Sequence, residues 1–403
     1  MSDLLRPYYR ITFYQEPTKT FPDRTAVIVM PFVTEWTTRE SWRNLTATGT
    51  IKFPKKIILQ TADLRQYDLS GNAISLIAGG QNARPPFMQR GDRVKIEATT
   101  WYVDEQGTEQ TPDFREVFSG YITKVETHAP VEITIEDRMF KCKQVKAQNK
   151  LYKASQYDAE GIVKDLVLQY NAANPNDKIE FAEPPQATST KVGDFRVQNN
   201  TIAQVLEYLQ KTLHINSWFR GNKLHSGAIV YYPNNIQAVH PVFHFQKNII
   251  PGDSMNFTRT DDLSIGVHAY SVQKEATSEV NAKGKTKVKH KRIELYVGDT
   301  SGEIRTYYSP SATTTAQLKK EAENWMQRWR YEGFQGKFLT FGEPYVNHGD
   351  LIDIINEVIP DQNGTYFVKS VERSGGVNGY RQEIELDLRV DGVFSDAQIQ
   401  QGI

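Results

Sequence analysis

Two stretches of the sequence, YVNHGDLIDI at residues 345–354 and FMQRGDRVKI at residues 87–96, have the same design. Each begins with an aromatic residue, passes through a Gly-Asp pair and continues with alternating apolar residues. Gly-Asp suits a turn, because glycine tolerates unusual backbone angles and aspartate accepts hydrogen bonds from nearby amides. Alternation is typical of a strand with one buried face. Each stretch therefore predicts a tight turn that leads into a half-buried strand.

The similarity continues beyond these turns. The first block, residues 87–137, goes on with REVFSGYITKVE and VEITIED, and the second block, residues 345–390, with NGTYFVKSVE and RQEIELDL. The corresponding positions are Gly91 and Gly349, Asp92 and Asp350, Val125 and Val371, and Ile133 and Ile384. Three strands leave edges that need partners, so we expect two related small β-barrels completed by strands from elsewhere in the chain. Chance is the alternative interpretation, since Gly-Asp before a strand is common.

The composition limits the class of protein. A chain of 403 residues is too long for one ordinary core and predicts two to four domains. The 48 basic and 48 acidic residues balance, which leaves no global attraction to nucleic acid or to anionic membranes. The single cysteine, Cys142, excludes an intramolecular disulfide and a cysteine zinc site. The sequence has neither a signal peptide nor a long apolar run, so we expect no membrane-spanning segment.

Periodicity along the chain predicts a mainly β, multidomain protein with an α+β insertion. The expected order is an N-terminal β region with the first block (1–150), a small α+β domain (151–235), a second β region (236–390) and a C-terminal tail (391–403). The second β region is predicted to hold an exposed hairpin at 274–292 and an amphipathic helix at 314–332, besides the second block. The fold of the first eighty or so residues stays open.

The sequence shows no catalytic, cofactor-binding or metal-binding motif. His240 and His244 share one face of a predicted strand, but they lack a third ligand nearby. Trp325 and Trp329 share the helical phase of Leu318, which indicates packing rather than a platform for carbohydrate. A nucleophile elbow, a phosphate-binding glycine loop and a paired zinc motif are all missing. We therefore expect no catalysis, no cofactor and no metal.

The order of these motifs resembles that of the hub proteins of phage tails and related injection machines. The family includes the baseplate hub of T-even phages, the late control protein D family and the hub portion of type VI secretion spike proteins. The resemblance rests on VFSGYITKVE (117–126), TIAQVLEYLQKTLHINSWFRGNKL (201–224), GFQGKFLTFGEPYVNHGDLIDI (333–354), NGTYFVKSVERSGG (363–376) and GYRQEIELDL (379–388). The N-terminal part, before the first block, matches least well.

This resemblance implies a structural role and a set of partners. Hub proteins of this family carry two similar barrels and assemble as homotrimers, so that six barrels face a sixfold tail tube. A duplication lets a threefold object match a sixfold partner. The implied partners are the tail tube protein, a central spike or needle protein, other baseplate proteins and, transiently, genome DNA. The implied location is the virion tail, assembled in the host cytoplasm; the type of machine stays open.

Two alternatives from other functional classes remain. The chain could be a tail-associated enzyme that degrades the cell wall, or a tail protein that binds host glycans. The absence of a recognisable catalytic domain argues against the first alternative. Incubation with peptidoglycan or with glycans would separate both alternatives from a structural hub.

The segment KGKTKVKHKR, residues 283–292, places Lys285, Lys287, Lys289 and Lys291 at every second position. On a strand, all four side chains point the same way. The simpler interpretation is a solvated hairpin whose lysines prevent edge-to-edge pairing. The alternative is a cationic surface that meets acidic groups of the tail tube or passing DNA.

Replacing all four lysines by glutamine tests this alternative. We expect the free energy of unfolding to change by no more than about 0.5 kcal/mol, because solvated side chains contribute little. Docking to the tube or genome delivery should weaken, because the lost contacts are electrostatic. Hub incorporation and infectivity of particles carrying the variant measure this effect. Normal assembly together with normal delivery would support the solvated hairpin instead.

Overall fold

The computed structural model describes most of the chain. The described residues are 6–19, 21–30, 32–54, 59–60, 66–67, 87–103, 108–110, 113–126, 131–183, 194–213, 215–227, 240–250, 254–259, 264–280, 286–309, 312, 314–329 and 332–390. Strands make up 51% and helices 16%, which confirms the mainly β fold class. The predicted tail, 391–403, lies outside the described residues. No helix within the described ranges is both long and apolar enough to cross a membrane.

The N-terminal part of the chain is built from strands. They are β1 (Arg6–Tyr14), β2 (Val27–Met30), β3 (Glu35–Ser41), β4 (Thr48–Phe53), β5 (Leu59–Gln60), β6 (Gln66–Tyr67), β7 (Arg93–Val103), β8 (Glu109–Gln110), β9 (Arg115–Glu126) and β10 (Val131–Glu136). Alternation sets which face is buried: Ile51 and Phe53 on β4, and Ile133 and Ile135 on β10, are all fully buried.

Helices follow, with short strands between them. These elements are α1 (Met139–Cys142), β11 (Lys150–Tyr152), α2 (Ala159–Ala173), β12 (Glu180–Phe181), β13 (Phe195–Val197), α3 (Ile202–Leu213), β14 (Asn216–Arg220) and β15 (Lys223–Gly227). The Asp158 carboxylate caps α2 by accepting from the Gly161 amide at 2.7 Å. Thr201 and Gln204 form a reciprocal capping box at α3, with bonds of 2.8 and 3.3 Å. The two helices share one buried apolar cluster.

The C-terminal part returns to strands. Its elements are β16 (Val242–His244), β17 (Ile249–Ile250), β18 (Met255–Thr258), β19 (Ile265–Val280), β20 (Thr286–Gly298), β21 (Glu303–Tyr308), α4 (Thr315–Trp329), β22 (Gly333–Phe341), β23 (Leu351–Ile355), a 3-10 turn (Pro360–Gln362), β24 (Gly364–Gly376) and β25 (Arg381–Arg389). Strands β19 and β20 form a long antiparallel hairpin, and β21 pairs with β19. Helix α4 covers this sheet with Leu318 and Ala322 fully buried, while Trp325 packs on Tyr307 at 5.3 Å between ring centroids.

One fifteen-stranded sheet contains both repeated blocks. Its main path runs β17-β22-β25-β24-β3-β4-β10-β9-β7-β1-β2, with β16, β18, β23 and β8 paired beside it. Strands from elsewhere in the chain extend each block: β1, β3 and β4 extend the first, and β16 and β22 the second. That each set forms a small barrel stays a prediction. The blocks bury separate apolar clusters, one around Ile133 and one around Ile384. The domain boundaries given above stay a prediction.

Candidate functional site

The two Gly-Asp turns are hydrogen-bonded to β9 and β24 in the same way. Gly91 and Gly349 have φ angles of +97° and +82°, a region that strongly favours glycine. The Gly91 amide donates to the Ile122 carbonyl oxygen at 2.8 Å, and the Gly349 amide donates to the Val368 carbonyl oxygen at 2.8 Å. Equivalent bonds therefore anchor β9 and β24 to equivalent turns.

The aspartates of these turns make the same local bond. The Gln89 amide donates to Asp92 Oδ2 at 2.9 Å, and the Asn347 amide donates to Asp350 Oδ2 at 2.9 Å. Each carboxylate thus satisfies an amide three residues before it, which closes the turn.

The strand registers of the two blocks also agree. Val125 lies opposite Ile133 between β9 and β10, and Val371 lies opposite Ile384 between β24 and β25. Strands β9 and β24 each carry one extra residue at the same place, Thr123 and Lys369, where the register shifts. Bulges are specific features of a fold, so a shared bulge favours duplication over chance.

The blocks differ in what surrounds their aspartates. In the first block, the side chains of Asp92 and Arg24 are 1% and 0% exposed, and two Arg24 nitrogens bond the two carboxylate oxygens. In the second block, Asp350 lies 3.7 Å from Arg220, and both side chains are partly exposed. Of the two turn aspartates, Asp92 alone therefore lies in a buried ion pair among the described residues.

A second buried arginine lies where the blocks join. Strand β3, which extends the first block, pairs with β24 of the second, with Glu40 opposite Val371. Arg373 on β24 is fully buried; it donates to Glu40 Oε2 at 2.8 Å and to Asn347 Oδ1 at 3.3 Å, and also bonds the Val346 carbonyl. The guanidinium therefore bridges both blocks and the second Gly-Asp turn.

A cavity of about 250 Å³ lies beside this junction. Its polar lining comes from both blocks, from β3 and from the end of β14: Glu40, Glu116, Ser119, Asp137, Arg220, Tyr345, Asn347 and His348. Burial raises the pKa of Asp137 to about 7, although its carboxylate accepts bonds from the Ala47 and Met139 amides at 3.1 and 3.0 Å. Burial, Arg220 and Arg373 lower the pKa of His348 well below its usual range.

The other residues singled out in the sequence are dispersed. Lys287, Lys289 and Lys291 lie in β20, whereas Lys285 lies outside the described residues. His240 faces Asp353 at 3.4 Å, with no metal-binding group of three His, Cys, Asp or Glu in the described part of the chain. The role of the lysines stays a prediction.

Sequence reasoning missed both buried arginines. Arg24 lies in a polar segment, PDRTAV, where no periodicity marks it as buried. Arg373 had a signal: strand alternation places it on the same face as the buried Val371. The pattern indicated its direction but not its partner, Glu40.

The duplicated turns supply a matched test of the first ion pair. Asp92→Ala removes the carboxylate bound to the buried Arg24, so the free energy of unfolding should fall by about 3–5 kcal/mol. Asp350→Ala loses the same amide bond but only a distant, partly exposed arginine, so about 0.5–1.5 kcal/mol should be lost. Denaturant unfolding measures both changes. Equal losses would contradict a special role for the buried pair.

The junction histidine predicts a dependence of stability on pH. The pKa of His348 is lowered in the folded protein, and an unfolded histidine protonates near pH 6.5. Folding therefore disfavours protonation of His348. As the pH drops below about 6.5, the free energy of unfolding should decrease by up to about 1.4 kcal/mol per pH unit. Relative to His348→Phe, the wild type should lose stability between about pH 7 and pH 5 in chemical denaturation.

The same measurement on His225→Phe serves as a comparison. Burial lowers the pKa of His225 to about 4, so its removal should act in the same direction. Asp137 is present in the wild type and in both variants, so its contribution to the pH dependence of the free energy of unfolding cancels when they are compared. If the free energies of unfolding of the wild type and of His348→Phe change in parallel with pH, the junction histidine does not control stability in acid.

Comparison with known proteins extends these observations. No protein-family model matches the sequence, and no curated protein matches it. Solved structures do match over nearly the whole chain. The 43 kDa tail protein of prophage MuSo2 from Shewanella oneidensis has a TM-score of 0.56 at 11% identity, with 95% of this chain and 98% of that chain covered.

Two further structures are similar. A tail protein from Neisseria meningitidis MC58 has a TM-score of 0.54 at 13% identity, with coverage of 96% of this chain and 97% of that chain. A chain of the Francisella PdpA–VgrG complex has a TM-score of 0.52 at 7% identity, with 97% and 59% covered. The chain thus has the fold of phage tail proteins, and the resemblance to the hub family is confirmed at the level of the fold.

Proposed function

We propose that this protein is the structural hub of a phage tail or a related injection machine. In this role, three copies form a ring that joins the tail tube to a central spike. The observation that carries the proposal is the duplication: two blocks share turns, strand register and a bulge, and one continuous sheet joins them. The shared fold with tail proteins supports the same role.

The duplication has a physical reason in such a ring. Three copies present six related blocks, and six blocks can make similar contacts with a sixfold tube. A threefold ring of unrelated domains would need a different interface at alternate positions. The partners in this proposal are two further copies, the tail tube protein, the central spike and neighbouring baseplate proteins. DNA passing through the channel would be a transient contact.

The buried ionisable groups fit a structural role better than catalysis. Asp137 accepts two backbone amides, and Arg373 and Arg24 are each bound to a carboxylate and to carbonyl oxygens. Except for the local bond from the Met139 amide, each of these bonds joins residues that are distant in the chain and so holds one part of the fold against another. Incubation of the purified protein with peptidoglycan should therefore release no soluble fragments, and a time-dependent release would favour the enzyme alternative.

The oligomeric state tests the hub directly. We expect a particle of three times the 46.1 kDa chain mass at micromolar concentration, alone or with its spike partner. Light scattering and native mass spectrometry measure this mass. A stable monomer under both conditions would overturn the proposed ring.

A further inference from the structure

Strand β24 has two different partners along one edge. Its first part, residues 364–367, pairs with β23, and its second part, residues 370–376, pairs with β3. Strand β25 occupies the opposite edge. The second part of β24 is where the two blocks of one chain meet, and there Val371 is fully buried.

Strand β9 is the counterpart of β24 in the first block, but one position beside it has no partner strand among the described residues. Strand β7 pairs with β9 up to Tyr121, and β10 occupies the opposite edge. Among the described residues, no strand pairs with residues 123–125 on the β7 side. This edge is equivalent to the part of β24 that pairs with β3. Val125, the counterpart of the buried Val371, is only partly buried.

The counterpart of β3 in the second block can also be identified. Strand β4 pairs with β10 as β22 pairs with β25: Ile51 lies opposite Ile133, and Phe338 lies opposite Ile384. Strand β3 lies beside β4, and β18 lies beside β22.

Register makes this correspondence specific. Thr38 pairs with Gly49, two residues before Ile51, and Met255 pairs with Gly336, two residues before Phe338. Met255 therefore corresponds to Thr38. By the same count, Phe257 corresponds to Glu40, and Thr258 corresponds to Ser41. Among the described residues, β18 pairs with β22 alone, so its other edge is open as well.

We propose that β18 of one copy pairs with β9 of a second copy and reproduces between chains the β3–β24 junction within each chain. The inference rests on the ring proposed above and names its interface. Because Ser41 pairs with Ser370 and Glu40 with Val371, the equivalent register places Thr258 opposite Lys124 and Phe257 opposite Val125. Each copy then offers one β9 edge and one β18 edge, and such a head-to-tail contact can close into a ring.

The side chains at the two edges suit this pairing. Open strand edges carry unpaired backbone groups that favour addition of a further strand. Val125 and Phe257 are both partly buried and apolar, so their contact would remove exposed apolar surface from water. Phe257 occupies the position equivalent to Glu40, which accepts the hydrogen bond of Arg373 in the junction within each chain. The junction between chains would thus need no buried ion pair, whose desolvation is costly for separate partners.

Disulfide trapping tests the register. Residues directly opposite on antiparallel strands have Cα atoms about 4.5–5.5 Å apart, within the range a disulfide spans. The variant Lys124→Cys with Thr258→Cys should therefore give, after mild oxidation, a ladder of linked species that ends at three chains on a non-reducing gel. The native Cys142 is fully buried and should not react. A second in-register pair, Val125→Cys with Phe257→Cys, should link as well.

The matched control moves one cysteine by two residues. Lys124→Cys with Asn256→Cys places the thiols on a diagonal about 7–8 Å apart and should link at least several-fold less. Single variants should give no ladder. A trimer by mass without linkage in either in-register pair would overturn this interface while leaving the hub intact. A monomer by mass would overturn the hub and the interface together, and preferential linkage of the control would overturn the register.

Discussion

The pairing of β3 with β24 is the constraint on which the rest of the molecule depends. It joins the two blocks through seven residue pairs, and the fully buried Arg373 binds Glu40 across it. A buried guanidinium that loses its carboxylate costs several kcal/mol. The blocks therefore cannot slide or separate without exposing the Arg373 guanidinium to water or leaving it buried without its carboxylate partner. A one-residue slip would also turn the inward face of either strand outward.

The two blocks keep their backbone design and differ in their buried chemistry. Both turns use a left-handed glycine, an aspartate that binds a preceding amide and an equivalent glycine amide bond to a later strand, β9 in the first block and β24 in the second. The first block adds a buried ion pair between Arg24 and Asp92, whereas the second places its buried arginine at the junction. Backbone geometry sets the shape of both blocks, and the buried side chains fit each block to the strands and turns that surround it.

The helical part of the chain is held at the same junction. Trp218 on β14 stacks on His225 at 5.4 Å and meets His348 of the second turn edge-on at 6.1 Å. Arg220 donates to the His348 carbonyl oxygen at 2.7 Å. Burial and neighbouring cations lower the pKa of both histidines. Protonation of these histidines at low pH would therefore destabilise the contact between the helical part, the second Gly-Asp turn and the β3–β24 junction.

The sequence by itself determined the local elements and indicated the duplication, which the shared bulge and registers of the structure then favoured over chance. Alternation marked the strands of the two blocks, helical spacing marked α4, and Gly91 and Gly349 marked the turns, because each of these signals depends on neighbours within a few residues. Sequence could also place Arg373 on an inward face. Only the tertiary structure decided what that side chain meets, since Glu40 lies 333 residues away, and the same holds for Arg24 and Asp92, which are 68 residues apart. Buried charges are selected by partners distant in the chain, and no local pattern encodes such a pairing.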